Sequence, residues 1–344
     1  MSTDLPALGW DGSLAAAYAP LDRSDSAPGR VMRADRGVCT VAGEDGVTRA
    51  TLAGAVLLAA ANDPAKLPCA GDWVVLRRWP DRRVTLECVL PRRTVLIRRT
   101  AGKDATGQVL AANMDIVAVV EPMHPAPDAG RVERLLSLAA DSGAAPVVVL
   151  TKADTAADPA AIARQIGLLA PGVPVLPVSV YGGDGLAAVR ALAAPGRTLA
   201  LLGRSGAGKS TLVNALAGAE VMGVRAIRAD GKGRHTTAYR SLVLLPGGGA
   251  VLDTPGIRGV GLLDTDDGLD RTFADLADLA ATCRFADCRH DAEPGCAITA
   301  ALAEGSVTAR RLASWRKLRG EVEAESARQT LRLAEAAGRR RKRP

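Results

Sequence analysis

Aromatic residues are scarce in this chain of 344 residues, which holds four tryptophans, three tyrosines and two phenylalanines. A protein that reads single-stranded nucleic acid mainly by base stacking needs more aromatic side chains on its surface. The sequence has no uncharged apolar run long enough for a membrane span, so we expect none. Its first residues include Asp4 and Asp11 and no basic stretch before an apolar core, so we expect no secretory signal.

Cysteine is also sparse, with six residues in the whole chain. Cys39, Cys69 and Cys88 are scattered, and no role for them follows from the sequence. The other three stand close together near the C-terminal end, beside a histidine. This usage excludes a disulfide-rich secreted scaffold and predicts a reducing, cytoplasmic location with at most one metal cluster.

The charge is unevenly distributed. The net charge is +7, with 48% hydrophobic and 24% charged residues, which excludes general disorder and allows two or three cores. Residues 305–344 hold twelve Lys and Arg against four Asp and Glu, and residues 71–103 hold nine against three. Two separated basic blocks predict a polyanion bound at two places, although either block alone could equally be a solvated surface.

Composition and hydrophobic patterning divide the chain into six parts. Residues 1–29, rich in Pro, Gly, Ser and Asp, predict a flexible arm. Residues 30–99 contain short β-rich runs between turns and predict a small β-barrel that contacts RNA through arginines. The other parts are a polar linker (100–112), an alternating α/β segment with a parallel sheet (113–261), a helical segment with a Cys/His interruption (262–325) and a basic tail (326–344).

A phosphate-binding motif occupies residues 203–210, which match G-x-x-x-x-G-K-[ST]. It follows the apolar run Thr198 to Leu202 and precedes a predicted helix, the context that this motif requires. Glycines allow backbone N–H groups to point at a phosphate, Lys209 supplies a cation, and Ser210 offers its hydroxyl to Mg²⁺. The predicted nucleotide-binding residues are Gly203, Arg204, Ser205, Gly206, Ala207, Gly208, Lys209, Ser210 and Thr211.

A second acidic group follows the run Ala250 to Leu252, in the sequence Asp253-Thr254-Pro255-Gly256. Asp253 can hold a water on Mg²⁺, and the Gly256 N–H can sense a γ-phosphate. The same four residues in isolation would be a good turn sequence. The phosphate-binding motif upstream favours the nucleotide-binding interpretation.

The base is indicated by residues 151–154, at the end of another predicted strand. A carboxylate at Asp154 accepts from both N1–H and the 2-amino group of guanine, whereas adenine offers neither donor, so GTP is favoured over ATP. The aliphatic part of the Lys152 side chain can cover one face of the guanine ring. A backbone N–H at Ser179-Val180 can donate to guanine O6. An N-capping Asp is the alternative for Asp154 if this motif is taken alone. The predicted guanine-site residues are Thr151, Lys152, Ala153, Asp154, Ser179 and Val180.

The cysteine segment has the spacing Cys283-x4-Cys288-x-His290-x5-Cys296. Three thiolates and one imidazole form a closed four-ligand set that is typical of structural Zn²⁺. Buried cysteines near an unrelated histidine are the alternative. Because a closed site leaves no position for water, we expect a structural metal and no catalysis at it.

These motifs occur in a rotated order, since the guanine motif precedes the phosphate-binding motif. That order is typical of circularly permuted GTPases. With a barrel before them and the cysteine segment after them, the chain resembles the RsgA (YjeQ/EngC) family over about residues 30–319. Residues 233–237 and the cysteine segment are the most specific parts of the resemblance. It implies an α/β fold with an OB-type N-terminal barrel, a permuted P-loop GTPase domain and a helical zinc-binding C-terminal domain.

The resemblance also implies residue roles. Thr236 and Thr237 are the switch threonines, and Thr237 joins Ser210 as a magnesium ligand. Lys209 is the catalytic cation. Ile257 stands where many GTPases place a water-orienting glutamine, so His235 becomes the candidate water-orienting group, with a solvated loop histidine as the alternative. Thr151 replaces the usual Asn and Val180 the usual Ala, so we expect a weaker bridge to the P-loop and a more crowded base edge.

The implied activity is small-subunit-stimulated GTP hydrolysis that assists late 30S maturation and release of assembly factors. The implied partners are the 30S subunit with its 16S rRNA and GTP or GDP, with Mg²⁺ and one structural Zn²⁺, in a cytoplasmic monomer that binds no membrane. The alternative is a non-enzymatic RNA-binding protein gated by guanine nucleotide. An ATP-dependent P-loop kinase is disfavoured by Asp154 and by the lack of an evident acceptor site.

Overall fold

The computed structural model of the protein describes residues 4–98, 108–223, 241–254 and 266–341. It contains an N-terminal closed β-barrel, an α/β domain built on a six-stranded sheet and a C-terminal group of helices that carries the Cys/His cluster. This architecture confirms the predicted fold class. Within the described residues, every helix is too short or too polar to cross a lipid bilayer.

The barrel has five strands in the order β1-β2-β3-β5-β4, with β3 and β5 parallel and the other pairs antiparallel. Val31, Val41, Val74 and Leu86 fill its core and are essentially buried. A helix, α2, connects β3 to β4. The elements are β1 (Ser26–Asp35), β2 (Val38–Gly43), β3 (Gly46–Leu52), α2 (Gly54–Asn62), β4 (Trp73–Arg78) and β5 (Val84–Val89).

The segment before the barrel differs from the expected flexible arm. A helix, α1 (Gly12–Tyr18), begins after Asp11, whose carboxylate accepts a 3.0 Å hydrogen bond from the Leu14 N–H. Leu5, Leu8 and Leu14 are buried with Trp73 of the barrel. Three leucines within a Pro- and Gly-rich stretch provide enough apolar surface to fold it against the barrel.

The region after the barrel contains a separate two-stranded antiparallel sheet, formed by β6 (Val95–Arg98) and β7 (Gln108–Ala112). The barrel therefore ends at β5, and the expected linker over 100–112 ends in a strand. The described residues also include four short 3₁₀ turns, at Pro6–Leu8, Ala19–Leu21, Pro64–Lys66 and Ala153–Thr155.

A buried arginine joins the barrel to the α/β domain. The Arg30 guanidinium donates to the carbonyl oxygens of Leu8, Gly71 and Asn113, and it lies 5.5 Å from the Trp73 ring centroid. Burial lowers the pKa of Arg30 to about 10, so the group remains charged at neutral pH. Because its partners lie in three segments, Arg30 fixes the barrel on the domain that follows.

The α/β domain has one sheet in the order β10-β9-β8-β11-β13-β12, and only β12 runs antiparallel to its neighbour. Its central strands are buried on both faces, as parallel strands covered by helices must be. The strands are β8 (Ile116–Pro122), β9 (Ala145–Thr151), β10 (Val175–Pro177), β11 (Thr198–Leu202), β12 (Ser241–Leu244) and β13 (Ala250–Asp253). The helices are α3 (Ala129–Asp141), α4 (Pro159–Gly167), α5 (Leu186–Leu192) and α6 (Lys209–Ala217).

The C-terminal part consists of α7 (Asp266–Thr272), α8 (Ala274–Ala281), α9 (Ala297–Ala303) and α10 (Ala309–Arg341). Trp315, Leu318 and Val322 of α10 are buried in the same core as α3. Since α10 extends to Arg341, most of the expected basic tail over 326–344 is helical.

An ion cluster connects α10 to α3. Glu133 of α3 is completely buried, and its carboxylate accepts hydrogen bonds from Arg310, Arg311 and Ser314 of α10 at 2.5 to 3.0 Å. Arg311 also pairs with Asp275 of α8. The C-terminal helices are thus joined to the α/β domain by a carboxylate whose hydrogen-bonding capacity is well satisfied.

Candidate functional site

Three strands of the sheet each end at, or directly before, a residue of one site. Thr151 ends β9, Asp253 ends β13, and Gly203 directly follows β11. Because β8, β9, β11 and β13 are parallel, their carboxyl ends meet at this edge, where ligands bind in open α/β sheets. The structure therefore brings the guanine motif, the phosphate motif and the second acidic group together.

The phosphate loop depends on its glycines. A Cβ on Gly203 would lie 2.3 Å from the Val120 carbonyl oxygen, so no larger residue fits without moving β8. Gly208 has φ +90° and lies against Thr151. No described side chain caps the N-terminus of α6, which begins at Lys209. The N–H groups of its first turn are therefore suited to binding an anion.

Lys209 is buried in the centre of this loop. Its Nζ donates to the carbonyl oxygens of Gly203 at 2.8 Å and Arg204 at 3.1 Å. An ammonium group has three N–H donors, so one remains for a phosphate oxygen. Burial lowers the pKa of Lys209, and the nearby carboxylates Asp253 and Glu121 oppose that shift.

Asp253 lies beside Lys209 and is also buried. Burial raises the pKa of Asp253 from 3.8 to about 6, and the Lys209 charge acts in the opposite direction. Its Oδ1 has no hydrogen-bond partner among the described residues. A buried, unpaired carboxylate oxygen is costly unless a ligand pairs with it, and carboxylate oxygen is a ligand that Mg²⁺ prefers. These residues therefore fit a magnesium-bound nucleotide.

The guanine loop is held by hydrogen bonds on both sides. Lys152 has φ +57°, a left-handed conformation that turns the chain out of β9. The Ser179 hydroxyl donates to Asp154 Oδ1 at 2.7 Å and accepts from the Gly182 N–H at 2.9 Å. The Ala153 N–H donates to the Val178 carbonyl oxygen at 3.1 Å. Asp154 is exposed, so its carboxylate is oriented and still accessible to a base.

Thr151 makes the bridge that was expected to be weak. Its hydroxyl donates a 2.6 Å hydrogen bond to the carbonyl oxygen of Ala207 in the phosphate loop. A threonine can thus make the connection between the two loops. Val180 lies partly buried at the margin of a hydrophobic core cluster, next to the guanine loop.

The remaining predicted site residues lie in the phosphate loop, in helix α6 or outside the described part of the chain. Ser210 and Thr211 lie in the first turn of α6, and both are partly buried. Ala207 is buried, Arg204 is partly buried, and Ser205 and Gly206 are exposed. The residues that lie outside the described part of the chain are His235, Thr236, Thr237 and Gly256, so their roles remain predictions.

One charged residue of this region was missed by the sequence reasoning. Glu121, near the end of β8, is completely buried and accepts from Arg131 at 2.7 and 3.0 Å. Its backbone carbonyl lies 3.5 Å from the Thr151 hydroxyl. A lone glutamate at the end of an otherwise apolar run was the available signal, because a buried carboxylate requires a partner.

The four predicted metal ligands converge. One ligand atom from each of Cys283, Cys288, His290 and Cys296 lies within 4.8 Å of all the others. The sulfurs of Cys283 and Cys296 are 3.9 Å apart, close to the ~3.8 Å that a tetrahedral zinc with Zn–S bonds of about 2.3 Å requires. The donor set and its spacing therefore fit a closed zinc site.

Comparison with known proteins identifies the family. The sequence model described as RsgA GTPase matches residues 89–263. A relative from Streptomyces coelicolor, "Small ribosomal subunit biogenesis GTPase RsgA", is 50% identical over 321 residues, covering 92% of this chain and 86% of that protein. A relative of the same name from Syntrophotalea carbinolica is 40% identical over 344 residues, covering 97% and 94%.

Solved structures agree with this assignment. YjeQ from Thermotoga maritima has a TM-score of 0.64 and 25% identity, covering 86% of this chain and 98% of that chain. YloQ, described as a circularly permuted GTPase, shares the fold with a TM-score of 0.59 at 21% identity, covering 88% and 96%. The order of the motifs, their shared edge of one sheet and these relatives lead to one conclusion: the chain belongs to the RsgA family of circularly permuted GTPases.

Proposed function

We propose that this protein binds the small (30S) ribosomal subunit through 16S rRNA and hydrolyses GTP when bound. In this proposal it assists late subunit maturation and the release of assembly factors. The observation that supports it most is the placement of Lys209, Asp253 and the Thr151 loop at one sheet edge. This site lies in a chain 50% identical to a relative named as a small-subunit biogenesis GTPase.

The nucleotide would be held by the residues described above. Asp154 selects guanine by accepting from N1–H and the 2-amino group. Lys209 and the first-turn N–H groups of α6 bind the phosphates. A bound Mg²⁺ would neutralise negative charge on the phosphates of GTP. From their places in the sequence motifs, the residues proposed to bind Mg²⁺ or its water ligands are Ser210, Thr237 and Asp253.

Hydrolysis would depend on help from the bound subunit. His235 is proposed to orient the attacking water, because Ile257 cannot do so. We therefore expect slow intrinsic turnover and strong activation by subunits.

The remaining assignments concern the metal, the RNA and the state of the protein. The four-ligand cluster would bind one structural Zn²⁺ and stabilise the loop between α8 and α9. The two basic blocks, in residues 71–103 and 305–344, would contact rRNA phosphates. The protein would act as a cytoplasmic monomer.

A sedimentation experiment tests subunit binding. With purified small subunits at moderate salt, the protein should co-sediment when a non-hydrolysable GTP analogue is bound and less with GDP. Equal co-sedimentation in both states would contradict nucleotide-controlled release. Multiple turnover of GTP separates this proposal from the alternative of a non-enzymatic, nucleotide-gated RNA-binding protein.

A further inference from the structure

An open cleft lies on the barrel, away from the nucleotide site. Its volume is about 800 Å³. The main lining residues are Asp25 and Ser26 at the start of β1, Asp45 in the β2–β3 turn, and Arg77, Arg78 and Trp79 at the end of β4. None of these residues contributes to the GTP site or to the cysteine cluster.

Trp79 differs from the tryptophans of the core. Trp73 and Trp315 are 0% and 1% exposed, whereas Trp79 is only partly buried and lines the cleft. Its Nε1–H donates to the Thr85 hydroxyl at 2.9 Å, and its backbone N–H donates to the Arg83 carbonyl oxygen at 2.9 Å. The indole is therefore held in place before any ligand binds.

Arginines already occupy positions over this indole. The Arg77 guanidinium lies 4.1 Å from the ring centroid and is held by a 2.8 Å ion pair with Asp25. The Arg83 guanidinium lies 5.6 Å from the centroid, and its side chain is 68% exposed. Arg77 lines the cleft and Arg83 does not, so a planar group that enters the cleft would meet the indole beside Arg77.

The charges of the cleft argue against a simple phosphate site. Arg77 pairs with Asp25, Arg78 pairs with Asp45, and Arg83 pairs with Asp81. A phosphate would meet little net positive charge here, because each arginine is matched by a carboxylate. A nucleobase is uncharged, and its edge carries both donors and acceptors, which such a mixed lining can satisfy.

We propose that this cleft binds one unpaired RNA base, which stacks on the part of Trp79 that lines the cleft, beside the ion-paired Arg77 guanidinium. The choice of RNA as the ligand rests on the proposed binding of the small ribosomal subunit. The barrel would then contact RNA by stacking at this position, in addition to the phosphate contacts made by arginines elsewhere. The scarcity of aromatic residues limits this mode to a single base.

The test uses the full-length protein and a labelled single-stranded oligoribonucleotide of about ten nucleotides, a length that a barrel of this kind can bind. Binding is measured by fluorescence anisotropy and compared with an abasic strand of equal length. Trp79→Ala should weaken binding of the base-bearing strand by about 5- to 100-fold, the range for loss of one stacked base. Trp79→Phe should weaken it less, because phenylalanine retains an aromatic face.

Two controls make the result specific. Neither substitution should change binding of the abasic strand or the salt slope for the base-bearing strand, because stacking releases no counterions. Arg36→Ala, in the β1–β2 turn, should reduce binding of both strands equally or not at all. The far-ultraviolet circular dichroism and melting temperature of each variant establish that the barrel is folded.

Several outcomes would overturn the proposal. The first is equal binding of base-bearing and abasic strands, and the second is unchanged binding of the base-bearing strand by Trp79→Ala. The third is that the protein binds no oligonucleotide at all. The last is that Trp79→Ala loses binding to the small subunit but keeps binding to the oligonucleotide. The last result would indicate a protein surface as the partner. Subunit-stimulated GTP turnover is a separate measurement, so failure of the proposed function and failure of this cleft are distinguishable.

Discussion

The Thr151 hydroxyl donates a 2.6 Å hydrogen bond to the carbonyl oxygen of Ala207, and this bond joins the guanine loop to the phosphate loop. Both residues are buried, so the bond is shielded from water. The resemblance implies asparagine where this sequence has Thr151, yet the connection is present. The loop predicted to recognise the base and the loop predicted to bind the phosphates are thus directly hydrogen-bonded to each other.

Removing this bond should destabilise the site. Thr151→Val keeps the shape of the side chain and leaves the buried Ala207 carbonyl without its donor. We expect the free energy of unfolding to fall by about 1–3 kcal/mol, measured by urea denaturation, with weaker GDP binding. Thr155→Val is a matched control, because the Thr155 hydroxyl bonds to the Lys152 carbonyl oxygen at an exposed position. Thr151→Asn should retain most of the stability, and equal losses in Thr151→Val and Thr155→Val would contradict the bridge.

Asp154 should decide which base is bound. In Asp154→Asn the side chain gains N–H donors, which oppose the N1–H and 2-amino donors of guanine and match the 2-carbonyl of xanthine. We expect GDP affinity to fall by at least about 100-fold and xanthosine diphosphate affinity to rise, measured by calorimetry. Unchanged GDP affinity would show that Asp154 does not contact the base.

Nucleotide binding with magnesium should depend on the ionisation of Asp253. Its pKa is raised to about 6 in the nucleotide-free protein, so a proton competes with the magnesium-bound nucleotide below that pH. We expect the affinity for magnesium-bound GDP to decrease as pH falls below about 6. Asp253→Asn should bind weakly and lack this dependence, and a wild-type affinity that is constant through this range would contradict the assignment.

The same raised pKa has a consequence for folding, with the opposite sign. The folded protein binds the Asp253 proton more tightly than the unfolded chain does, so stability is lost as pH rises from about 4 to 6. Without nucleotide, Asp253→Asn should therefore be more stable than wild type at neutral pH by about 2–3 kcal/mol. The difference should vanish in acid. Equal stability of the two proteins at neutral pH would show that the carboxylate is well solvated.

The Glu133 cluster should make a large contribution to stability. Glu133→Ala removes the carboxylate that Arg310 and the buried Arg311 share and leaves Arg311 paired with Asp275 alone, and removing one partner of a buried ion pair costs about 3–5 kcal/mol. The exposed pair Arg319–Glu323 offers a control, since Glu323→Ala should cost less than about 0.5 kcal/mol. Unfolding followed by tryptophan fluorescence measures both, because Trp315 lies in the same helix.

Zinc should be bound by the cysteine cluster alone. We expect native mass spectrometry to show about one zinc ion per chain. Cys283→Ser should lose this zinc, and the helices next to the cluster, α8 and α9, should then unfold. Cys88→Ser, a partly buried cysteine of the barrel, should keep the metal. If hydrogen exchange showed that the zinc-free protein is fully folded, a structural role for zinc would be contradicted.

The sequence predicts the elements that have local signatures. The run Thr198 to Leu202, the glycine loop and the helix from Lys209 agree with the structure residue by residue, because each is specified by neighbouring residues. By contrast, β1 contains Pro28 and Gly29, which argue against a strand. A Cβ on Gly29 would lie 2.5 Å from a Val41 methyl, so glycine is needed here for the barrel strands to pack closely. Such a requirement cannot be predicted from the sequence pattern alone.

Long-range pairs were the hardest features to predict. Glu121 pairs with Arg131 ten residues away, and Glu133 pairs with arginines of α10 at the other end of the chain. No periodicity marks such partners. The helical continuation of α10 was missed for a different reason. Its many arginines suggested a solvated tail, although alanine, glutamate, leucine and arginine all favour helix.

We propose that the small ribosomal subunit activates GTP hydrolysis by this protein. The decisive measurement is steady-state phosphate release from GTP and from ATP, with and without purified small subunits at moderate salt. We expect turnover with GTP only, slow in the isolated protein and strongly raised by subunits. Guanine nucleotide binding without turnover in either condition would contradict it and favour a nucleotide-gated RNA-binding protein.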